Sequence, residues 1–150
     1  MDENSSTGPI LLLTQLSRLV NRRSTPELLG QTLKELAALS FLRDYEETTQ
    51  QALSEGLCID ANYTVLLLNE LESADYVERR RDPSDRRRHI VKMTPQGREA
   101  LHHAESAQQS LEDEILVALD ADERTSLAHL LRKALDVHTT SITSNDSAHA

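Results

Sequence analysis

Ala74-Asp-Tyr-Val-Glu-Arg-Arg-Arg-Asp-Pro-Ser-Asp-Arg-Arg-Arg-His-Ile-Val-Lys-Met-Thr-Pro-Gln-Gly-Arg98 is the stretch on which the fold turns. Tyr76–Arg80 and Arg88–Met93 are β-rich runs, and Arg81-Asp-Pro-Ser-Asp-Arg-Arg87 between them is made of polar turn formers, which together read as a hairpin. Thr94-Pro95 is a helix cap followed by proline at the first helical position, where its missing N–H costs nothing. A long helix is predicted from there to about Ala118.

Working back from the hairpin, Asp60 caps a helix to about Ser73 that places Thr64, Leu67, Leu68 and Leu71 on one inward face. Leu57-Cys58-Ile59 is a tight turn, and ahead of it a short helix runs from the cap Thr49 to Gly56 with Ala52 and Leu53 inward. Two short helices joined by about three residues form a helix-turn-helix pattern. Thr32 and Glu35 make a capping box that opens a helix through Leu33, Leu36, Ala37, Leu39, Ser40 and Leu42. The first helix starts near Pro9 with Thr7 as cap, carries Ile10, Leu12, Leu13, Leu16, Leu19 and Val20, and stops before Ser24-Thr25-Pro26. A short turn over Pro26–Leu29 then leads to Gly30.

Beyond the long helix, Asp120 and Glu123 form a second capping box for a last helix to about His138, with Leu127, Leu130, Leu131, Ala134, Leu135 and His138 on one face. Residues 1–8 and 139–150 are polar and read as disordered.

Composition agrees with a mainly helical chain. Among 150 residues there are four Gly, four Pro, one Phe, three Tyr and no Trp, too few for a loop-rich all-β fold and enough aliphatics for one core. The single cysteine excludes a disulfide framework. No apolar run approaches the roughly 20 residues of a membrane span. The acidic start MDENSSTGPI is unlike a secretory leader. A soluble cytoplasmic protein is the expectation.

Net charge is −9, but it is unevenly placed. Residues 75–100 hold eight basic and five acidic side chains, a local +3, against eight basic and twenty acidic elsewhere, −12. A basic patch on an otherwise acidic chain is the footprint of a polyanion-binding face.

The hairpin segment resembles the wing signature of the MarR (multiple antibiotic resistance regulator) family, dimeric winged helix-turn-helix transcription factors. The family pattern is roughly G-[LY]-V-x-R-x-x-[DP]-x-x-D-[RK]-R-x-x-x-[VI]-x-L-T-x-x-G. It matches residues 75–97 nearly position for position, and the likeness extends by helix order over almost the whole chain. Asp75 stands where the family usually has Gly, and Cys58 at another common Gly position.

The resemblance implies a mainly α fold with a β wing, as one domain over 1–150. Dimerisation helices would lie at 9–29 and 95–138, around a winged helix-turn-helix lobe at 32–93. It also implies that the helix from Asp60 enters the DNA major groove. Ala61, Asn62, Tyr63, Thr64, Leu66 and Asn69 would then face bases or phosphates. In the wing, Arg87 would enter the minor groove with Asp85 orienting its guanidinium, and Arg79, Arg86 and Arg88 would add contacts. Narrow A·T-rich minor grooves concentrate negative potential, which suits a planar, always-charged head. The implied partners are a pseudo-palindromic duplex operator, a second copy of the chain, and a small, often phenolic or aromatic effector. No cofactor is implied.

The helix from Asp60 carries no Lys or Arg, so base reading there rests on amides, the Tyr63 hydroxyl and apolar contacts to thymine methyls. That lack, with the −9 charge, leaves open a winged helix that has become a protein-interaction module. Cys58 reads as a small turn residue, its place before a helix N-terminus leaving a redox role open. His102 and His103 lack the i, i+4 histidine pairing of a metal site and read as solvated or pocket-lining. No nucleophile elbow, phosphate loop or Cys–His constellation points to an enzyme.

Overall fold

The structure, a computed structural model, describes residues 7–25 and 32–147, the side chains of 139–147 excepted. Its elements are α1 (Pro9–Arg23), α2 (Leu33–Tyr45), β1 (Glu47–Thr49), α3 (Gln50–Gly56), α4 (Ala61–Ser73), β2 (Val77–Arg81), β3 (His89–Met93), α5 (Pro95–Ile115) and α6 (Ala121–Ser147). The predicted turn over Pro26–Leu29 and the lead before Thr7 lie outside the described residues.

Local hydrogen bonds set most boundaries. Thr32 accepts the Glu35 N–H at 3.2 Å and donates its hydroxyl to the Glu35 carboxylate at 3.1 Å. Thr49 accepts from Ala52 N–H, and Thr94 from Gly97 N–H. Asp120 and Glu123 close their box at 2.8 and 3.1 Å. At α1 the capping residue is Gly8 rather than Thr7, and Gly8 has no side chain with which to cap the helix. Proline in the first turn of α1 has already removed one of the donors a cap would serve.

β1 is a strand that the sequence reading misses. It adds to the hairpin in the order β1-β3-β2, all antiparallel, with Thr48 opposite Val91 and Arg79 opposite Val91 on the other side. Three polar residues carry no alternating apolar signal, and their pairing partner lies far along the chain. The last helix also differs. It continues past His138 to Ser147, where a disordered tail was expected. Once nucleated, a helix adds one bond for each residue it fixes, and neither Gly nor Pro interrupts this segment.

The core is aliphatic and sits inside the lobe. Leu36, Leu39 and Leu42 of α2, Leu53 of α3, Leu67, Leu68 and Leu71 of α4, Val77, Val91 and Met93 of the sheet, and Leu101 of α5 form one buried cluster. Tight backbone approaches fix its geometry. A Cβ on Gly97 would lie 2.1 Å from the Tyr76 carbonyl oxygen, so α5 can leave the sheet at this angle only with glycine there. Cys58 and Asp75 adopt positive φ, 55° and 62°, at the two turns where the family more often has glycine.

Outside the lobe the picture reverses. α1 buries no residue, and Arg23 ties its end to Glu114 of α5 at 2.6 Å. Arg124 bridges the α5–α6 corner, donating to Asp113 and to the Leu116 and Leu119 carbonyls.

Candidate nucleic-acid interface

α4 is seated by its first turn. The Asp60 carboxylate accepts the Tyr63 N–H at 2.8 Å, and the Thr64 hydroxyl donates to the Asp60 carbonyl. The Thr64 and Ser54 hydroxyls meet at 2.6 Å, pinning α4 to α3. Thr64 is fully buried, which corrects its expected place among the DNA contacts. It lies on the Leu67–Leu68–Leu71 face, about half a helical turn away from solvent.

The opposite face is open. Ala61, Asn62, Val65, Leu66 and Asn69 are exposed, and Tyr63 is half-buried with the Lys34 ammonium 4.5 Å from its ring centre. α4 itself carries no Lys or Arg; the cations beside its face are Lys34 over Tyr63 and Arg79 on Asn69, and exposed arginines stand on the wing.

The wing turn is held by its own acids. Asp82 N–H donates to the Arg88 carbonyl, and Arg88 N–H to the Asp85 carbonyl. The Asp82 carboxylate accepts from the Ser84 N–H and hydroxyl, which holds it below the usual carboxylate range. The Asp85 carboxylate accepts the backbone N–H of Arg87 at 3.1 Å, so in the free protein it shapes the main chain at the tip. The Arg86 and Arg87 side chains are exposed, and Arg88 is half-buried.

Arg79, Arg80 and Arg81 are spent inside the molecule. Arg80 pairs with Glu47 of β1, and Arg81 donates to the Arg86 carbonyl. Arg79 reaches α4, donating to Glu72 at 3.1 Å and to the Asn69 side-chain oxygen at 2.5 Å, with its side chain only 18% exposed. This guanidinium keeps Glu72 well ionised, below its ordinary range.

Between the wing, α3 and the start of α4 lies a groove of about 510 Å³, lined by Gln51, Glu55, Ile59 and Ala61 together with Arg87, Arg88 and His89 of the wing. The structure thus brings Ala61, Arg87 and Arg88 onto one concave surface. The reading from sequence omitted Gln50 and Gln51, which join them there. Their position in the first turn of the short helix after the Thr49 cap was the available signal.

A separate cleft of about 770 Å³ lies where α1, α2, α5 and α6 meet, lined by Leu16, Val20, Leu33, Leu111, Leu127 and Leu131 with Arg43 and Arg132. Its mixture of apolar walls and a few charged groups suits a small organic molecule. Cys58 is exposed. His102 and His103 sit on solvent-facing α5 beside Glu105 and Glu99 of their own helix, at 3.5 and 3.6 Å. Among the described residues no cluster of three His, Cys, Asp or Glu could hold a metal ion, and no helix is long and apolar enough to cross a membrane.

Comparison with known proteins agrees with this geometry. The MarR family profile matches residues 32–89, the lobe from the Thr32 cap to the base of the wing. The chain is 31% identical over 121 residues to the multiple antibiotic resistance protein MarR of Salmonella typhimurium, covering 79% of this chain and 81% of that one. It is 32% identical over 104 residues to the HTH-type transcriptional regulator YdgJ of Bacillus subtilis, covering 69% of this chain and only 63% of that relative's length. A mutant MarR from E. coli complexed with operator DNA superposes with a TM-score of 0.66 at 28% identity, covering 84% of this chain and 95% of that one. Wing, turn and helix order therefore agree with the profile match over the lobe and with similarity over most of the chain, which belongs to the MarR family of winged helix-turn-helix transcriptional regulators.

Proposed function

We propose that the protein binds a pseudo-palindromic duplex operator as a homodimer and acts as a repressor released by a small organic ligand. The observation that carries the reading is a groove lined by α3, the first residue of α4 and the wing, which brings Arg87 and Arg88 beside the start of the exposed α4 face. Backbone phosphates dominate the affinity of such interfaces, so cations held on a rigid hairpin beside a groove-sized helix suit this role. Arg87 is the side chain proposed to enter the minor groove. Asp85 acts by fixing the backbone that presents it and orients the guanidinium once DNA is bound.

Ile10 to Leu13 on α1 and Leu130, Leu135 and Val137 on α6 are exposed in the single chain. Apolar surface of this extent is rare on a soluble monomer. A two-fold copy covers it and sets two α4 helices about one helical turn of DNA apart. The cleft joining α1, α2, α5 and α6 is the proposed effector site. A ligand there that favours one spacing of lobe against arms shifts the population away from the DNA-binding spacing.

Selection of bound sequences from random duplex DNA tests the reading. The expected result is a palindromic consensus whose affinity falls steeply with salt. Three wing arginines from each of two copies give a log–log slope of roughly −5. Arg87→Ala should weaken binding at least tenfold without changing fold or assembly. No retention on duplex DNA at low salt would instead assign the lobe to protein docking.

A further inference from the structure

The outward face of α4 combines two features that nothing in the wing explains. Asn62, Val65, Leu66 and Asn69 fall at i, i+3, i+4 and i+7, all exposed, directly opposite the buried Thr64–Leu67–Leu68–Leu71 face. Leu66 is 61% exposed at the centre of this stripe, whose own side chains are all uncharged. At the end of the stripe, Asn69 is not free to rotate. A guanidinium has only donors, so the amide must turn its oxygen to Arg79 at 2.5 Å, and Arg79 is itself held by Glu72. The amide therefore presents its NH₂ outward.

We propose that this stripe reads bases by shape and by donation from an amide that Arg79 holds in one orientation. Leu66, flanked by Val65, packs on a thymine C5-methyl, and Asn69 donates to an acceptor on a neighbouring base edge. Arg79 is the positioning residue that fixes the amide. The inference rests on the reading of α4 as the helix in the major groove. An asparagine free to use both amide atoms pairs with adenine N6 and N7. With one oxygen lone pair given to Arg79, the Asn69 NH₂ is the group left to meet a base, where it donates to thymine O4, guanine O6 or N7, or adenine N7 and finds no acceptor on the cytosine edge. Discrimination then comes from α4 and salt-dependent affinity from the wing.

The test uses the full chain and the duplex it selects. Each thymine of a half-site is replaced in turn by deoxyuridine, which deletes only the methyl group. At one or two positions binding should fall about fourfold, the equivalent of one lost methyl contact. Leu66→Ala should bind the thymine and deoxyuridine duplexes equally well. Arg79→Ala should broaden base preference at one position per half-site to admit cytosine, and Arg79→Lys, which keeps a donor toward Asn69, should restore it.

Sequence-specific binding that is indifferent to every thymine-to-deoxyuridine change overturns methyl reading and leaves the regulator reading standing. Equal weakening on all sequences by Arg79→Ala makes that residue a phosphate contact and overturns its positioning role. Absence of sequence-specific binding by the unaltered protein overturns both readings together.

Discussion

Leu68 on α4 and Leu12 on α1 are the same side chain in helices of similar length, yet Leu68 is fully buried and Leu12 is 52% exposed. The contrast holds for the regions around them. The lobe from α2 to β3, closed by the first half of α5, seals its aliphatics into one cluster, whereas α1 buries nothing and α6 leaves Leu130, Leu135 and Val137 open. Amphipathic helices are stable only when their apolar stripe is covered. The lobe covers its own, and the arms leave theirs exposed, the surface on which the proposed second copy packs.

The largest expected effect breaks the arms. Ending the chain after Asp120 removes α6 and should abolish dimerisation, lower the melting temperature and weaken operator binding about a hundredfold or more, since the second half-site no longer adds to the first. Sedimentation and anisotropy titration read both results. Next comes the lobe, where Leu68→Ala should cost about 2–5 kcal/mol. Gly97→Ala should cost about 1–3 kcal/mol, because its Cβ meets a backbone carbonyl that cannot yield. Leu12→Asp should do the opposite of Leu68→Ala, leaving the lobe's own stability within about 0.5 kcal/mol while dissociating the dimer. Chemical denaturation run beside sizing separates the two regions.

A smaller effect concerns acid. Arg124 beside Asp113 holds that carboxyl below its ordinary range, so the folded state favours the ionised form. The stabilisation is present above the ordinary carboxylate range and is lost as pH falls through the lowered value. Melting temperature should therefore drop slightly between about pH 5 and 3 through the α5–α6 corner. Asp113→Asn should flatten that part of the profile.

What could be read from the sequence follows the range of the interactions. The caps at Thr32, Thr49, Asp60, Thr94 and Asp120 are legible because each bond closes within three residues. The positive-φ turn at Asp75 was legible from a family position usually held by glycine. β1 escaped because its pairing with β3 spans more than forty residues. The same limit hid the partners of Arg79, Arg80 and Arg81, so runs of arginine that look alike in sequence divide into three bonded to other groups of the chain and an exposed tip. Thr64 was assigned to both faces of its helix; only its hydroxyl network with Ser54 and Asp60 shows that it belongs to the core.

The central claim is that self-sufficient lobes are carried to DNA in pairs by arms that one chain cannot cover. Light scattering of the full-length protein with its selected operator duplex tests it most directly. The account predicts a free protein near twice the 16.8 kDa chain mass and a complex holding two copies per duplex. A free mass near 16.8 kDa at micromolar concentration, or a single copy on the duplex, would contradict it.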